Sequence, residues 1–212
     1  MAAPGWERML ARQPAPVQKT IRAQLGDGRL RSIDKDDDNG DITYDVEIVR
    51  QGKTRSFMVS DDGELLSVEV FLEELPATVQ QAIKTHAGSA TLAEIDKSES
   101  DGEISYDVEI IAGNKSRTFT VDGAGKLTDE EVFLAELPPD LQKAIHQEAG
   151  AGTLDEITRS FDSGQVLYDG DIIENGKTNT LTFDPQGALL SKQEDVVLST
   201  APLPVQKQIQ TL

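Results

Sequence analysis

Acidic residues recur in pairs along this sequence, and they are its most regular set of side chains that could do chemistry. One residue separates the members of each pair, and the three pairs are evenly spaced along the chain: Asp45 and Glu47, Asp107 and Glu109, Asp169 and Asp171. Side chains at positions i and i+2 of a strand point to the same side of a sheet. These six candidate binding residues could therefore steer a basic partner protein toward one face. The alternative is an ordinary solvated face, because outward positions of half-buried strands are usually polar.

A denser acidic run at 34–41 resembles part of a calcium-binding loop. Asp34, Asp36 and Asp38 have the spacing of loop positions 1, 3 and 5, and Asp45 falls at position 12. Position 6 is Asn39 instead of glycine, however, and the bidentate glutamate of such loops is missing. In the corresponding stretch at 96–103, serine replaces the second and third of these aspartates. We predict a solvated hairpin turn and no metal ligands, and a weak cation site at 34–41 is the alternative.

The two histidines, His86 and His146, do not form a catalytic pattern. Each lies near the predicted end of a helix, where a positive charge suits the helix dipole. The sequence contains no cysteine and neither an HExxH nor a GxSxG motif. A nucleophile needs an adjacent base, and the sequence shows no such combination. We therefore predict that the protein is not an enzyme and uses no cofactor.

Composition excludes further classes of function. Among 212 residues, 38 are Asp or Glu and 20 are Lys or Arg, which gives a net charge of −18. This charge repels phosphates, so nucleic-acid binding is not expected. No stretch approaches the roughly 18 apolar residues of a membrane helix, and the first residues lack the regions of a signal peptide. We expect no membrane insertion, and the absence of cysteine fits either redox compartment.

An internal repeat with a period of about 62 residues organises the chain. The stretch ITYDVEI at 42–48 matches ISYDVEI at 104–110, and VFLEELP at 70–76 matches VFLAELP at 132–138. We predict the end of a preceding partial repeat at 1–13 and full repeats at 14–75, 76–137 and 138–201. Residues 202–212 are predicted to form the helix of a partial fourth repeat.

Each full repeat has the same predicted order of elements. A helix begins at a proline, whose missing N–H costs nothing there, and ends at Gly26, Gly88 or Gly150. Four strands follow, separated by turns that contain glycine. We predict an α+β fold made of tandem repeats of one helix packed on a four-stranded antiparallel sheet, in the order α-β-β-β-β. Because one repeat buries only a thin core, neighbouring repeats are expected to share sheet edges or to pack their helices together.

The alternation of apolar and polar residues predicts which side chains lie in the core. Six of them are expected on the helix-facing side of the sheet: Tyr44, Tyr106, Tyr168, Ile21, Ile83 and Ile145.

The ends of the chain and one glycine lead to more local predictions. Val205 and Ile209 are expected to belong to a helix docked on the third repeat. The third repeat has Gly170 where the others have valine, and its second strand is expected to bend or bulge there. Three apolar residues near the start are expected to pack as the last strand of a partial repeat: Trp6, Met9 and Leu10.

Several motifs follow one another in this repeat and resemble those of a known family. The helix carries LP-x2-[VL]-Q-x-A-I at 75–83 and 137–145, and G-x-x-[TR]-L-x-x-I follows it. A YDVEI-like strand, a turn containing Gly and Lys, and the ending D-x-x-G-x-L complete the pattern. This pattern resembles the PepSY and PepSY-like group, which includes β-lactamase-inhibitor-like domains. The resemblance covers nearly the whole chain in three tandem copies, and the third copy departs from it at Gly170 and in two extra residues before Pro202.

The resemblance implies an extracytoplasmic protein, periplasmic or secreted, that binds or inhibits other proteins and has no shared catalytic residues. We predict a non-catalytic module of this type that binds a protein with a basic patch through the open acidic face of its sheet. The alternative is a structural spacer repeat within a longer surface or secreted protein. The identity of the partner and the oligomeric state stay open.

Overall fold

The computed structural model describes residues 5–38, 40–162 and 164–194. The chain divides into two compact units, Met1–Leu127 and Thr128–Leu212. Among the described residues, the first unit contains two hydrophobic cores and the second contains one.

The described part of the chain contains three helices of three turns each and one shorter helix. The short helix is α1 (Gly5–Leu10), and the longer ones are α2 (Ala15–Leu25), α3 (Ala77–Ala87) and α4 (Pro139–Ala149). Each longer helix follows a proline with φ of −55° or −56°, which suits the entry to a helix. Each also ends at a glycine with positive φ, as predicted: Gly26, Gly88 and Gly150.

Twelve strands accompany these helices in the described ranges. In the first unit they begin with β1 (Arg29–Asp38), β2 (Asp41–Arg50), β3 (Lys53–Ser60) and β4 (Leu65–Glu69). Next come β5 (Thr91–Ser100), β6 (Glu103–Ala112), β7 (Lys115–Asp122) and β8 (Leu127–Glu131). The last four are β9 (Thr153–Asp162), β10 (Gln165–Glu174), β11 (Lys177–Phe183) and β12 (Leu189–Glu194). Short 3-10 turns at Leu72–Glu74 and Leu134–Glu136 precede α3 and α4.

All twelve of these strands belong to one antiparallel sheet in chain order, so the prediction of repeated helix-on-four-strand units is wrong. The last strand of one repeat pairs with the first strand of the next. Ser67 of β4 lies opposite Ser98 of β5, and Asp129 of β8 lies opposite Ser160 of β9. A separate four-stranded unit would leave the N–H and C=O groups of its last strand at an open edge. Pairing with the next strand supplies partners for those groups.

The two-residue hairpin turns have the backbone that their sequences predict. At the β5–β6 turn, Asp101 has a φ of 53° and Gly102 a φ of 81°. At the β2–β3 turn, the corresponding angles are 53° for Gln51 and 80° for Gly52. A type I′ turn requires positive φ at both central residues and matches the right-handed twist of the strands. These turns therefore set the register of each hairpin and decide which side chains share a face.

Each core lies between a helix and one side of the sheet. In the first core, Val17 and Ile21 of α2 are buried together with Tyr44 and Val46 of β2. The predicted positions of the six core residues are confirmed, because the three tyrosines are at most 7% exposed and the three isoleucines at most 1%. Since neighbouring residues of a strand point to opposite sides, burial of the tyrosines directs the acidic residues to the other side.

A glycine in the turn between β3 and β4 lets this turn touch α2. Gly63 has a φ of 91°, and a Cβ placed on it would lie 2.7 Å from the carbonyl carbon of Pro16. The Thr20 hydroxyl donates a hydrogen bond to the Gly63 carbonyl at 2.5 Å. Glycine is therefore required here both for its backbone angle and for the space it leaves.

The β-bulges of the sheet do not lie where the sequence suggests. Gly170 pairs in regular register with Ile157 and Leu181, so the expectation of a bulge at Gly170 is wrong. Two register shifts lie in fourth strands, where Leu66 and Leu190 are the extra residues. The others lie in the first strand of each repeat, where one extra residue interrupts the pairing: Arg31, Ala93 and Asp155. All three positions are equivalent in the repeat, so the bulge is a shared feature of the backbone and does not depend on the glycine.

Residues Gly5–Leu10 form a helix, and the prediction of a strand is wrong there. The predicted packing is confirmed, because Leu10 is fully buried and Trp6 and Met9 lie against the first core. A helix forms backbone hydrogen bonds within its own segment, as the Ala11 N–H does to the Glu7 carbonyl at 3.0 Å, and it does not need a neighbouring strand. The predicted helix containing Val205 and Ile209 lies outside the described residues.

Replacing Ile83 with alanine tests the packing of α3. Ile83 is 1% exposed in the second core, so Ile83→Ala is expected to lower the free energy of unfolding by about 2–5 kcal/mol. Denaturant unfolding followed by circular dichroism measures this loss. The matched control is Ile111→Ala, because Ile111 is 42% exposed and its loss should stay within about 0.5 kcal/mol. A loss below about 1 kcal/mol for Ile83→Ala would contradict the packing described here.

Candidate partner-binding face

Within each unit, the predicted residues lie on the outward face, which we define as the side of the strands opposite the helices. They occupy β2, β6 and β10, where they alternate with buried tyrosine, valine and isoleucine residues and, in β10, with the buried Gly170. Asp45 and Asp107 are exposed, whereas Glu47, Glu109, Asp169 and Asp171 are half-buried. Glu47, Asp107 and their neighbours belong to the first unit, and Asp169 and Asp171 belong to the second.

Equivalent residues of the first two repeats do not lie on the same line across the sheet. Glu47 pairs with Ser56, whose backbone N–H donates to the Glu69 carboxylate at 2.9 Å. Glu69 lies opposite Asp96, and Asp96 lies opposite Asp107. A line drawn across the strands therefore connects Glu47 with Asp107. The residue of the first repeat that is equivalent to Asp107 in the sequence is Asp45, not Glu47. The acidic residues are staggered instead of forming the regular stripe that the spacing suggests.

Sequence reasoning missed three carboxylates that the sheet brings beside Asp107. They are Glu69 of β4 and Glu94 and Asp96 of β5, and together with Asp107 they form what we call the first acidic cluster. Glu69 and Glu94 both recur at the equivalent positions of the next repeat, as Glu131 and Glu156. That recurrence in the sequence could have identified the two glutamates as candidates. Only the pairing of β4 with β5 shows that Glu69, Glu94 and Asp96 lie together.

Like charges stand directly opposite each other in this part of the sheet. Four pairs of carboxylates occupy facing positions on neighbouring strands: Asp34 and Asp45, Glu69 and Asp96, Asp96 and Asp107, Glu94 and Glu109. Facing residues have Cβ atoms about 5 Å apart, and like charges at that distance destabilise a sheet. The chain therefore keeps an arrangement that costs stability.

The electrostatic cost is largest at Asp96. Partial burial, together with the charges of Glu94, Glu69 and Asp107, raises the pKa of Asp96 to about 6. Burial disfavours the ionised carboxylate because it removes water, and each neighbouring negative charge disfavours it further. The first acidic cluster therefore gains a proton at a pH well above that at which an ordinary aspartate does.

A related cluster lies in the second unit. Burial and the charges of Glu131 and Asp171 raise the pKa of Glu156 above its usual value. Glu156 lies opposite Asp171, and Glu131 lies opposite Thr158. The last strand of one repeat (β8) and the first two strands of the next (β9 and β10) therefore produce a second cluster of negative charge.

Hydroxyl groups on the next strand hold several of these carboxylates in place. The Thr120 hydroxyl donates to Asp107 at 2.7 Å, and the Thr182 hydroxyl donates to Asp169 at 2.6 Å. Two further carboxylates accept hydrogen bonds from Thr180 and Ser116: Asp171 and Glu109. Because a hydroxyl neutralises no charge, these bonds orient the carboxylates and leave them negative. Glu47 differs, since it forms an ion pair with Arg31 at 2.7 Å.

A shallow cavity of about 350 Å³ opens on the outward face of the first unit. Carboxylates supply much of its lining: Asp34, Asp45, Glu47, Glu69 and Glu94. The Ser56 hydroxyl lies within it and bonds to both Glu69 and Glu94 at 3.3 Å. The cavity is a concave place where the basic side chain of a partner protein would meet several carboxylates at once.

The acidic run at 34–41 shows the contacts of a hairpin end. Asp37 accepts a hydrogen bond from the Gly40 N–H at 3.1 Å, and Asp36 accepts one from the Asp37 N–H at 3.0 Å. Within residues 5–38, 40–162 and 164–194, no three His, Asp or Glu side chains are placed to hold a metal ion together. The His86 ring packs against Phe119 with ring centres 5.8 Å apart.

None of the described helices is both long and apolar enough to cross a membrane.

No family model and no curated protein matches the chain. Solved structures that resemble it include a DUF2874 family protein from Bacteroides ovatus, with 20% identity over 57% of this chain and 87% of that one, at a TM-score of 0.43.

Two further solved structures have similar scores. A BLIP-like protein from Bacteroides fragilis is 17% identical over 57% of this chain and 86% of that one, with a TM-score of 0.42. A proposed periplasmic protein from Bacteroides eggerthii is 19% identical over 57% and 88% of the two chains, with a TM-score of 0.44. Because these TM-scores lie below 0.5, the similarities carry no inference about function.

Asp96→Asn is expected to stabilise the protein at neutral pH. The pKa of Asp96 is about 6 in the folded chain, against about 3.9 when unfolded. The folded state therefore holds the proton more tightly, so the wild type loses stability as pH rises from about 4 to about 6. The asparagine side chain does not titrate, and the advantage of the variant should grow over that interval and then stay constant. At pH 7, we expect the variant to be more stable than the wild type by about 1 kcal/mol, because solvent screens the charge of this partly exposed group.

Denaturant unfolding at a series of pH values measures this difference. Asp61→Asn is the matched control, because Asp61 is exposed and lies in a turn. The control should run parallel to the wild type between pH 4 and pH 7. Equal stability of Asp96→Asn and the wild type at every pH would show that the first acidic cluster is not strained.

Proposed function

We propose that this chain is a non-catalytic module that binds another protein through its outward face. The facing carboxylate pairs carry this proposal, because they cost stability in the free protein. Natural sequences commonly break such local rules at functional sites. A partner that places positive charge against the pairs would relieve the repulsion, so the free energy lost on folding would be recovered on binding.

The geometry of the face supports binding of a basic surface. Hydroxyl groups orient Asp107, Asp169 and Asp171 before any partner arrives, which limits the entropy lost on binding. The cavity bordered by Asp45, Glu47 and other carboxylates would accept one lysine or arginine side chain. A face with such charge would act mainly on the rate of association and on the choice of partner.

The resemblance in sequence supports the finer form of this proposal. Motifs of the PepSY-like type recur along the chain, and members of that group restrain or bind other proteins outside the cytoplasm. We propose three tandem copies of this type, acting as an inhibitory or binding module in the periplasm or after secretion. The partner would be a protein with a basic patch.

A structural spacer within a longer surface protein is the second candidate. The backbone pairing of β4 with β5 favours it, because such pairing joins neighbouring repeats into a stiff sheet. A spacer needs soluble surfaces but has no use for facing carboxylates. The two candidates therefore differ in what neutralisation of the outward face would do.

Neutralising the six predicted residues is expected to slow binding and spare the fold. The variant carries Asp45→Asn, Glu47→Gln, Asp107→Asn, Glu109→Gln, Asp169→Asn and Asp171→Asn. A partner captured from the envelope fraction by the wild type should associate with this variant about tenfold or more slowly at low salt. The wild-type rate should itself fall as ionic strength rises past about 0.1 M, where charges beyond roughly 10 Å are screened. Surface plasmon resonance measures both rates.

A second variant with the same net charge isolates the effect of position. It neutralises six exposed acidic residues away from the outward face: Asp61, Glu64, Asp101, Asp140, Glu148 and Glu174. This control should associate nearly as fast as the wild type. Equal on-rates for all three proteins would remove the outward face from the mechanism, and failure of any partner to bind the wild type would favour the spacer.

A further inference from the structure

The helix side of the sheet holds a second cavity whose chemistry is opposite to that of the outward face. This cavity has a volume of about 360 Å³ and lies where α2 ends beside the β2–β3 turn. Its lining includes three cations, one aromatic ring and a buried aliphatic side chain: Arg50, Lys53, Arg55, Phe71 and Ile48. In a chain of net charge −18, three cations around one cavity are a local exception.

Part of this arrangement has a structural role. Lys53 Nζ lies 4.0 Å from the centre of the Phe71 ring, and the Arg55 guanidinium lies 5.0 Å from it. Arg55 also binds both carboxylate oxygens of Glu74 at 2.8 Å, and Glu74 accepts the Phe71 N–H at 3.0 Å. These contacts hold the 3-10 turn against the hairpin. The same four residue types recur at the equivalent positions of the second repeat: Lys115, Arg117, Phe133 and Glu136.

Arg50 does not belong to this recurring set. It lies directly opposite Lys53 across the hairpin, so two cationic side chains leave the backbone at facing positions, where unpaired like charges would destabilise the sheet. In the second repeat, the corresponding pair consists of the uncharged Ala112 and the cation Lys115. In the third, it consists of the oppositely charged Glu174 and Lys177. Only the first hairpin of the three sets two cations against each other, and the structural role of Lys53 does not require it.

The anions that now accompany these two cations are weakly held. Arg50 pairs with Asp27 at 2.9 Å and Lys53 pairs with Glu73 at 2.8 Å, and all four side chains are at least 52% exposed. Exposed ion pairs of this kind stabilise proteins by about 0–1 kcal/mol. An incoming anion can therefore replace Asp27 and Glu73 at little cost. The Arg55–Glu74 pair is less exposed, at 28% and 44%, and forms a lasting wall of the cavity.

We propose that this cavity binds a small organic carboxylate that has an apolar body. The carboxylate would lie between the facing side chains of Arg50 and Lys53 and accept charge-assisted hydrogen bonds from both. The apolar body would lie over Ile48 and the Phe71 ring, and the Gln24 and Gln51 amides at the rim supply further polar contacts. The volume lies within the range of small-ligand sites, and Phe71 with Ile48 supplies the apolar part of a lining that is otherwise polar or charged.

The test uses 3-phenylpropanoate as the probe and the full chain as the protein. Amide chemical shifts in two-dimensional NMR should move for Gln24, Arg50, Gln51 and Phe71 as the probe is added, and calorimetry should give the affinity. Two compounds separate the parts of the ligand: 3-phenylpropan-1-ol has the same body without charge, and acetate has the charge without the body. Both are expected to bind at least about tenfold more weakly, a factor that corresponds to one lost contact of about 1.4 kcal/mol.

Two substitutions test the cations, and a third is their control. Arg50→Gln and Lys53→Gln should each weaken binding of the probe about tenfold or more. Arg31→Gln removes an equally exposed arginine from the outward face and should leave the affinity unchanged. Thermal unfolding should show that all three variants fold.

Three results would overturn the proposal. The first is an absence of shifts around this cavity at millimolar probe. The second is equal binding of the alcohol or of acetate, which would mean that charge and apolar body are not recognised together. The third is an unchanged affinity in folded Arg50→Gln and Lys53→Gln.

Discussion

Backbone pairing between the last strand of one repeat and the first strand of the next is the interaction on which the acidic surface depends. In the first unit this pairing sets Glu69 opposite Asp96, and the hairpin of β5 and β6 sets Asp96 opposite Asp107. The backbone groups of β4 must find partners, and the next strand provides them. The register of this pairing places the acidic side chains opposite each other, because each has a fixed position on its strand.

Charged side chains have different partners on the two sides of the sheet. On the helix side, apolar residues fill the cores, and the cations near Phe71 are matched by Glu73 and Glu74. On the outward side, carboxylates face carboxylates, and their neighbours are chiefly hydroxyl groups that orient them without neutralising them. A protein selected only for stability would place lysine or threonine opposite Asp96. The opposite choice is what the proposed binding of a basic partner would require.

Several local features of the fold could be predicted from residue types alone. Proline and glycine marked the beginnings and ends of the three longer helices because each has a backbone preference that suits one end. The alternation around Tyr44 identified both the buried and the outward face, since the side-chain period of a strand is two. Trp6, Met9 and Leu10 were correctly expected to pack against the rest of the chain but wrongly expected to form a strand. Their apolar character predicts packing against a core, but it does not distinguish a helix from a strand.

Residue types and their spacing were enough to predict the periodicity, the ends of the three longer helices, the six core residues and the side of the strands on which the six predicted carboxylates lie. Each of these follows from interactions within a few residues, or from a regularity that is visible along the chain. Three features became visible only with the folded chain: the strands join into one sheet, Glu47 is in line with Asp107, and Glu69, Glu94 and Asp96 lie together. The reason is that register between strands of different repeats depends on turns and on bulges such as those at Arg31 and Ala93. One extra residue in a strand shifts every pairing beyond it, and no local pattern records how many such shifts accumulate.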